Sequence, residues 1–203
     1  MNGTLERKTL STGKTIKISQ DQAESPRDWD NLTKMVCFHS NYTIGDDNHD
    51  YNKDDFGSWE ELRDAIESTE DPVVILPIYM YDHSGITIAT TPFSCRFDSG
   101  QIGFIYVTHN SLDAAGLTVR NEEKWSDFLE RLTKSVIADV AIYDQYIRGD
   151  VYAFAIEDED GLVLDSCGGF YGDSLEESGM KEYLTDYLSP AEMVEFESES
   201  SFV

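Results

Sequence analysis

The chain has 203 residues, and its 40% apolar and 12% aromatic content is that of a folded protein rather than a disordered one. Forty acidic residues against fifteen basic ones give a formal net charge of −25, which argues against direct binding of nucleic acid because phosphates would be repelled. The three cysteines, Cys37, Cys95 and Cys167, are far apart and form no CxxC pair, which argues against a disulfide framework or a closed zinc site.

No run of residues is apolar enough to serve as a leader or to span a membrane, so the expectation is a soluble cytoplasmic protein without a membrane partner. The charge is uneven along the chain. Residues 1–30 balance at five acids and five bases, residues 31–80 hold eleven acids and three bases, and residues 151–203 hold fourteen acids and one base.

In chain order, residues 1–20 predict two short strands joined by a turn at residues 10–14 (LSTGK). Residues 20–32 read as a loop. Residues 34–40 (KMVCFHS) predict a strand with Met35, Cys37 and His39 on one face. Residues 41–56 (NYTIGDDNHDYNKDDF) form a polar loop crowded with Asp46, Asp47, Asp50, Asp54 and Asp55. The DxDxDG spacing and closing glutamate of a calcium loop are absent, so a solvated acidic loop is the better reading and no metal is expected. Ser58 with Glu61 makes a capping box, starting a helix to about residue 68 whose buried stripe is Trp59, Leu62 and Ile66.

Residues 72–107 organise the rest. Three short runs, 73–81, 85–90 and 102–107, are dominated by Val, Ile, Tyr, Phe and Thr, which predicts strands. Pro77 cannot donate to a ladder, so a bulge or an edge register is expected there. Residues 121–147 predict the longest helix, with Trp125, Phe128, Leu129, Leu132, Val136, Val140, Tyr143 and Ile147 at three- and four-residue spacing and Gly149 as its stop. Residues 150–157 and 162–167 predict a hairpin turning at Asp160-Gly161. Residues 168–172 (GGFYG) read as a glycine-rich loop that lacks the pattern of a phosphate cradle.

Ser174 with Glu177 makes a second capping box. Its helix should bury Met180, Tyr183, Leu184 and Tyr187 and stop before Pro190. Residues 191–203 alternate acidic and apolar positions, which predicts a frayed tail or a weak edge strand. The expected fold class is therefore α+β, a mostly antiparallel mixed sheet with one long covering helix and two shorter capped helices. The expected organisation is an N-terminal arm or hairpin (1–30), a single α+β domain (31–190) and an acidic tail (191–203).

Several motifs carry a resemblance: Phe38-His39, Tyr42 and Gly45-Asp46; residues 81–87 (YDHSGIT), 91–95 (TPFSC) and 98–107 (DSGQIGFIYV); and residues 143–146 (YDQY), 149–152 (GDVY) and 165–172 (DSCGGFYG). Across roughly residues 33–173 the chain resembles a family of small proteins encoded by bacteriophages and mobile elements. The resemblance implies an accessory protein acting inside a bacterial host cell. It carries over no catalytic residue. Gly169 departs from the family pattern, where a bulky aromatic is expected, and so does the acidic C-terminal third.

Two surfaces are candidates for function. Asp82, His83, Ser84, Cys95 and Asp98 contain the residue types of a nucleophilic site, which would need to converge within hydrogen-bond reach. Adjacent residues of a regular strand face opposite ways, so Asp82 and His83 could cooperate only from a turn. On this reading a small hydrolase or nucleotide-handling enzyme uses Asp82, His83, Cys95 and Asp98; on the plainer one, these residues close turns.

The other candidate is the charge. If the chain were one compact domain its diameter would be about 43 Å, and duplex DNA carries about 25 charges over that length. The leading expectation is thus an acidic DNA mimic. It would occupy the basic cleft of a host DNA-binding defence protein, such as a restriction complex or CRISPR effector, stoichiometrically and without a cofactor. Its binding residues would be Asp46, Asp47, Asp50, Asp54, Asp55, Glu60 and Glu61, with Glu157, Asp158, Glu159, Asp160, Asp173, Glu176 and Glu177.

Overall fold

The computed structural model describes residues 4–200 and Phe202. In chain order the elements are β1 (Thr4–Thr9), β2 (Thr15–Gln20), β3 (Lys34–Cys37), α1 (Trp59–Glu70), β4 (Pro72–Asp82), β5 (Ile86–Ala89), β6 (Ser99–Thr108), α2 (His109–Ala114), α3 (Trp125–Arg148), β7 (Val151–Glu157), β8 (Val163–Tyr171), α4 (Met180–Leu184) and α5 (Pro190–Glu199). The α+β class holds and every strand pairing is antiparallel, but the strands divide between two four-stranded sheets instead of one. The chain forms two compact units: residues 1–24 with 145–203 (the first unit), and residues 25–144 (the second).

The first unit is built on the sheet β1-β2-β7-β8. Alternation along β2 sends Ile16 and Ile18 to one face, where they sit opposite Ile156 and Phe154 of β7. That face is closed by Leu175, Met180, Leu184, Leu188 and Phe196, so the short α4 and α5 supply the other half of the core. The N-terminal hairpin is thus an integral pair of strands in this sheet.

Two segments differ from expectation. Ser174 does accept a hydrogen bond from Glu177 N, but that turn ends at Gly179, and α4 starts only at Met180. Tyr183 and Tyr187 are consequently exposed, while Met180 and Leu184 are buried. Residues 190–199, expected as a frayed tail or edge strand, form α5. Ser189 and Glu192 exchange the two bonds of a capping box, and Pro190 sits in the first turn.

The predicted glycine-rich loop is also a strand, because β8 runs on to Tyr171. Its register against β7 slips between Tyr152 and Phe154, leaving Gly168 and Gly169 in a bulge. Gly169 has φ +78° and donates its N–H to Asp21 Oδ2 at 2.8 Å, and a Cβ on Gly168 would lie 2.4 Å from the same oxygen. A bulky aromatic at residue 169 would be strained by that backbone conformation.

The second unit is built on the sheet β3-β6-β4-β5. β6 is buried from Ile102 to Thr108, so both faces of the sheet are covered. One face meets α1, with Val36, Phe104 and Tyr106 packed against Leu62 and Ile66. On the other, α3 reaches toward both edge strands. Asp139 Oδ2 accepts from the Thr33 hydroxyl at 3.0 Å beside β3, and Asp144 Oδ1 accepts from Thr87 Oγ1 and Ile88 N in β5, each at 2.6 Å.

β3 and β6 approach so closely that a Cβ on Gly103 would sit 1.9 Å from Val36 O, so only glycine fits there. Pro77 pairs with Phe104, but β5 joins β4 only from Tyr79 onward and the register slips just after Ile78, so both anticipated devices occur around this proline. α3 starts at Trp125, later than expected. It buries Phe128, Leu132, Val136, Val140 and Tyr143 and leaves Trp125 half-exposed. The six-residue α2, capped by Thr108 and Ser111, was not anticipated.

Candidate functional site

The acidic residues separate into those that hold the fold and those that face solvent. In the second unit Asp46 belongs to the fold. Its carboxylate accepts from Arg27 Nε and Nη2 at 2.7 and 3.1 Å and from Met35 N at 2.8 Å, pinning its loop to β3. Asp47, Asp50, Asp54, Asp55, Glu60 and Glu61 are exposed, and none of them forms an ion pair among the described residues. Glu61 accepts from Gly57 N, while Ser58 caps α1. Lys53 is the only base between Asp46 and Glu61. Beside these acids lies a recess of about 320 Å³ floored by Phe38, Phe56 and Trp59.

In the first unit Glu157 is buried against Lys17, and Asp158 closes its turn by accepting from Asp160 N and Leu162 N. Glu176 pairs with Lys181 at 3.1 Å, and Glu177 accepts from Gln145 Nε2 at 3.3 Å. Glu159, Asp160 and Asp173 are exposed without an ion pair among the described residues.

The rim residues partly converge. Ser84, at φ +60°, turns the chain, and His83 N bonds Gly85 O at 3.0 Å. Cys95 Sγ donates to Asp98 Oδ2 at 3.4 Å, and His83 Nδ1 lies 3.6 Å from the same oxygen. The Asp82 carboxylate turns away to the Tyr42 hydroxyl, 3.4 Å distant, and its charge pushes the Tyr42 pKa up. The thiol and the imidazole therefore share one carboxylate. A nucleophilic cysteine needs its base on the sulfur, and here the thiol proton is directed at Asp98 instead. The His83 side chain is 64% exposed, so solvent reaches this cluster freely. All three cysteines are free thiols. Burial first, then the Asp46 charge, push the Cys37 thiol well above its ordinary value.

Sequence reading missed a cleft of about 640 Å³ in the second unit. Its walls come from residues 27–36, residues 46–51, the end of α1 and Tyr106 of β6. His49 Nδ1 and the Tyr51 hydroxyl are buried there with no hydrogen-bond partner. Burial, followed by the Glu70 carboxylate, raises the pKa values of both Tyr51 and Tyr106. The only hints in the sequence were a histidine and a tyrosine within residues 46–51, which are otherwise aspartates and an asparagine, and a lone hydroxyl-bearing ring within the apolar run of β6.

Comparison of the chain with protein-family models, curated proteins and solved structures finds no match. Among the described residues no helix is long and apolar enough to cross a membrane.

Proposed function

We propose that the protein is an acidic decoy that binds a basic, DNA-binding host protein, such as a restriction or CRISPR effector, in place of DNA. The observation that carries this reading is the set of exposed carboxylates without an ion pair among the described residues, at Asp47, Asp50, Asp54, Asp55, Glu60 and Glu61. Their attraction for a cationic cleft is long-range and speeds association, and it is screened by salt as phosphate contacts are. The Phe38, Phe56 and Trp59 recess beside them offers the apolar anchor point that a specific interface uses at its centre. The phage-type motifs give such a decoy a biological setting, and binding is stoichiometric with no chemical step.

The test is capture of partners by the full chain at about 50 mM and about 200 mM salt, with duplex DNA as competitor. A DNA-binding protein held at low salt, released by duplex, and lost when the six loop carboxylates are changed to amides is the expected result. Capture unchanged by those substitutions overturns the assignment. So does abolition of the biological effect by His83→Ala in a folded protein, which would move function to the rim.

A further inference from the structure

We propose that the cleft of the second unit receives a guanidinium group, carried by an arginine side chain of the basic partner. This rests on the reading above for the source of the arginine, while the chemistry of the cleft is argued from its own walls. Its volume, about 640 Å³, is ample for an arginine side chain and lies within the range of small-ligand sites.

The two cations in the walls are already paired with carboxylates. Arg27 spends Nε and Nη2 on Asp46, and Nη1 and Nη2 on Thr33 Oγ1 and O, at 2.7 to 3.1 Å. Lys34 is paired with Glu70 at 2.8 Å. Once these pairs are set aside, Asp30 and Asp50 remain in the walls as carboxylates without an ion pair among the described residues. The net field inside therefore favours a cation.

The polar atoms that lack partners are of a matching kind. The Tyr51 hydroxyl is buried without a hydrogen-bond partner of good geometry, and Thr69 is its polar neighbour. Tyr106 is 1% exposed and lines the same cleft. His49 Nδ1 accepts when the ring proton is on Nε2. Such unmet groups are costly, and a donor-only ligand satisfies them. A guanidinium brings five donors in one plane and accepts nothing, which matches acceptors that lack partners. A metal ion fits less well, since no group of three or more His, Cys, Asp or Glu side chains is placed to hold one among the described residues.

The experiment titrates the full chain with N-acetyl-arginine amide, and with the uncharged N-acetyl-citrulline amide, by calorimetry or amide chemical shifts. The expected result is saturable binding of the arginine probe alone. Tyr106→Phe and Asp50→Asn should each weaken it about tenfold, and Glu182→Gln, on the first unit, should leave it unchanged. Melting curves establish that the variants fold. Equal binding of citrulline, indifference to both cleft substitutions, or no saturation at tens of millimolar overturns the site, whatever becomes of the decoy reading, because no partner enters this titration. In the captured complex, Tyr106→Phe should weaken partner binding by a similar factor. A complex unaffected by Tyr106→Phe overturns the partner as the source of the guanidinium, even where the probe binds.

Discussion

The two units carry nearly the same charge and use it differently. The first unit holds 18 acidic and 6 basic residues, a net of −12, and the second holds 22 and 9, a net of −13. In the first unit much of the acid is structural. Glu192 accepts from Thr12 Oγ1 at 2.7 Å and pairs with Lys14 at 3.2 Å, and Glu195 accepts from Ser11 N and Oγ, each at 2.7 Å. Two glutamates of α5 thus clamp the turn between β1 and β2. Four of the six bases of this unit, Arg7, Lys8, Lys14 and Lys17, lie on that hairpin; Lys14 pairs with Glu192 and Lys17 with Glu157. In the second unit Asp47, Asp50, Asp54, Asp55, Glu60 and Glu61 form no ion pair among the described residues, and Glu61 accepts only a backbone bond from Gly57 N. Net charge alone therefore does not distinguish the two units; how much of it has an internal partner among the described residues does.

Isosteric amide substitutions separate the two uses. The largest loss of stability is expected for Asp46→Asn, which strands the buried Arg27 guanidinium and should cost roughly 3–5 kcal/mol in denaturant unfolding. Glu192→Gln should cost about 2 kcal/mol, since hydrogen bonds to a buried carboxylate are among the stronger ones.

That second effect has a pH signature. The hydrogen bonds from Thr12 and Ser189 N, with Lys14 nearby, hold the Glu192 carboxyl down to about 2 from its ordinary 4.5. A lowered folded-state pKa gives stability that is fully present above pH 4.5 and is lost as pH falls toward about 2. The stability gap between the parent protein and Glu192→Gln should close over that window, and a gap that stays constant from pH 7 to about 2 would show that the carboxylate's charge is not what the clamp uses. The smallest stability change belongs to the six exposed acids. Converting them together to amides should move unfolding by no more than about 0.5 kcal/mol per site, because reduced self-repulsion is offset by the loss of the Glu60 and Glu61 charges from the first turn of α1, while partner capture collapses. Marked destabilisation by these six would assign them to the fold and erase the contrast between the units.

Much of the architecture was legible from local chemistry. The runs in residues 72–107 gave β4, β5 and β6, and the spacing from Phe128 to Tyr143 gave the long helix. The capping box at Ser58 gave α1. What misled was chemistry read without its competitor. Ser174 carries a capping signal, yet Gly179 interrupts the helix after one turn. Ser189-Pro190-Ala191-Glu192 carries an equally good signal, masked by the alternation of acids and apolar residues that follows. Gly168 and Gly169 read as a loop because the carboxylate that requires them, Asp21, is distant in sequence.

The division into two sheets was not legible, since pairing of β2 with β7 is a long-range fact that no local pattern encodes. The acidic surface was visible in composition, but which acids would be consumed by Arg27, Lys17 or Lys14 was not. The cleft depends on Tyr106 of β6 meeting His49 and Tyr51 of a distant loop, and only the fold brings those together.

The pairing of β2 with β7 has a consequence for how the molecule is made. The second unit is one continuous stretch, residues 25–144, whose strands and helices are all synthesised before β7 begins. The first unit is assembled from both ends of the chain, and β1 and β2 must wait for β7, β8 and α5 before their apolar face is covered. Closing a loop that long adds only slowly growing entropy, but it delays the reward until β7, β8 and α5 have been synthesised. On a growing chain every strand and helix of the second unit has therefore been made while the apolar face of the hairpin that carries Ile16 and Ile18 still lacks its native cover.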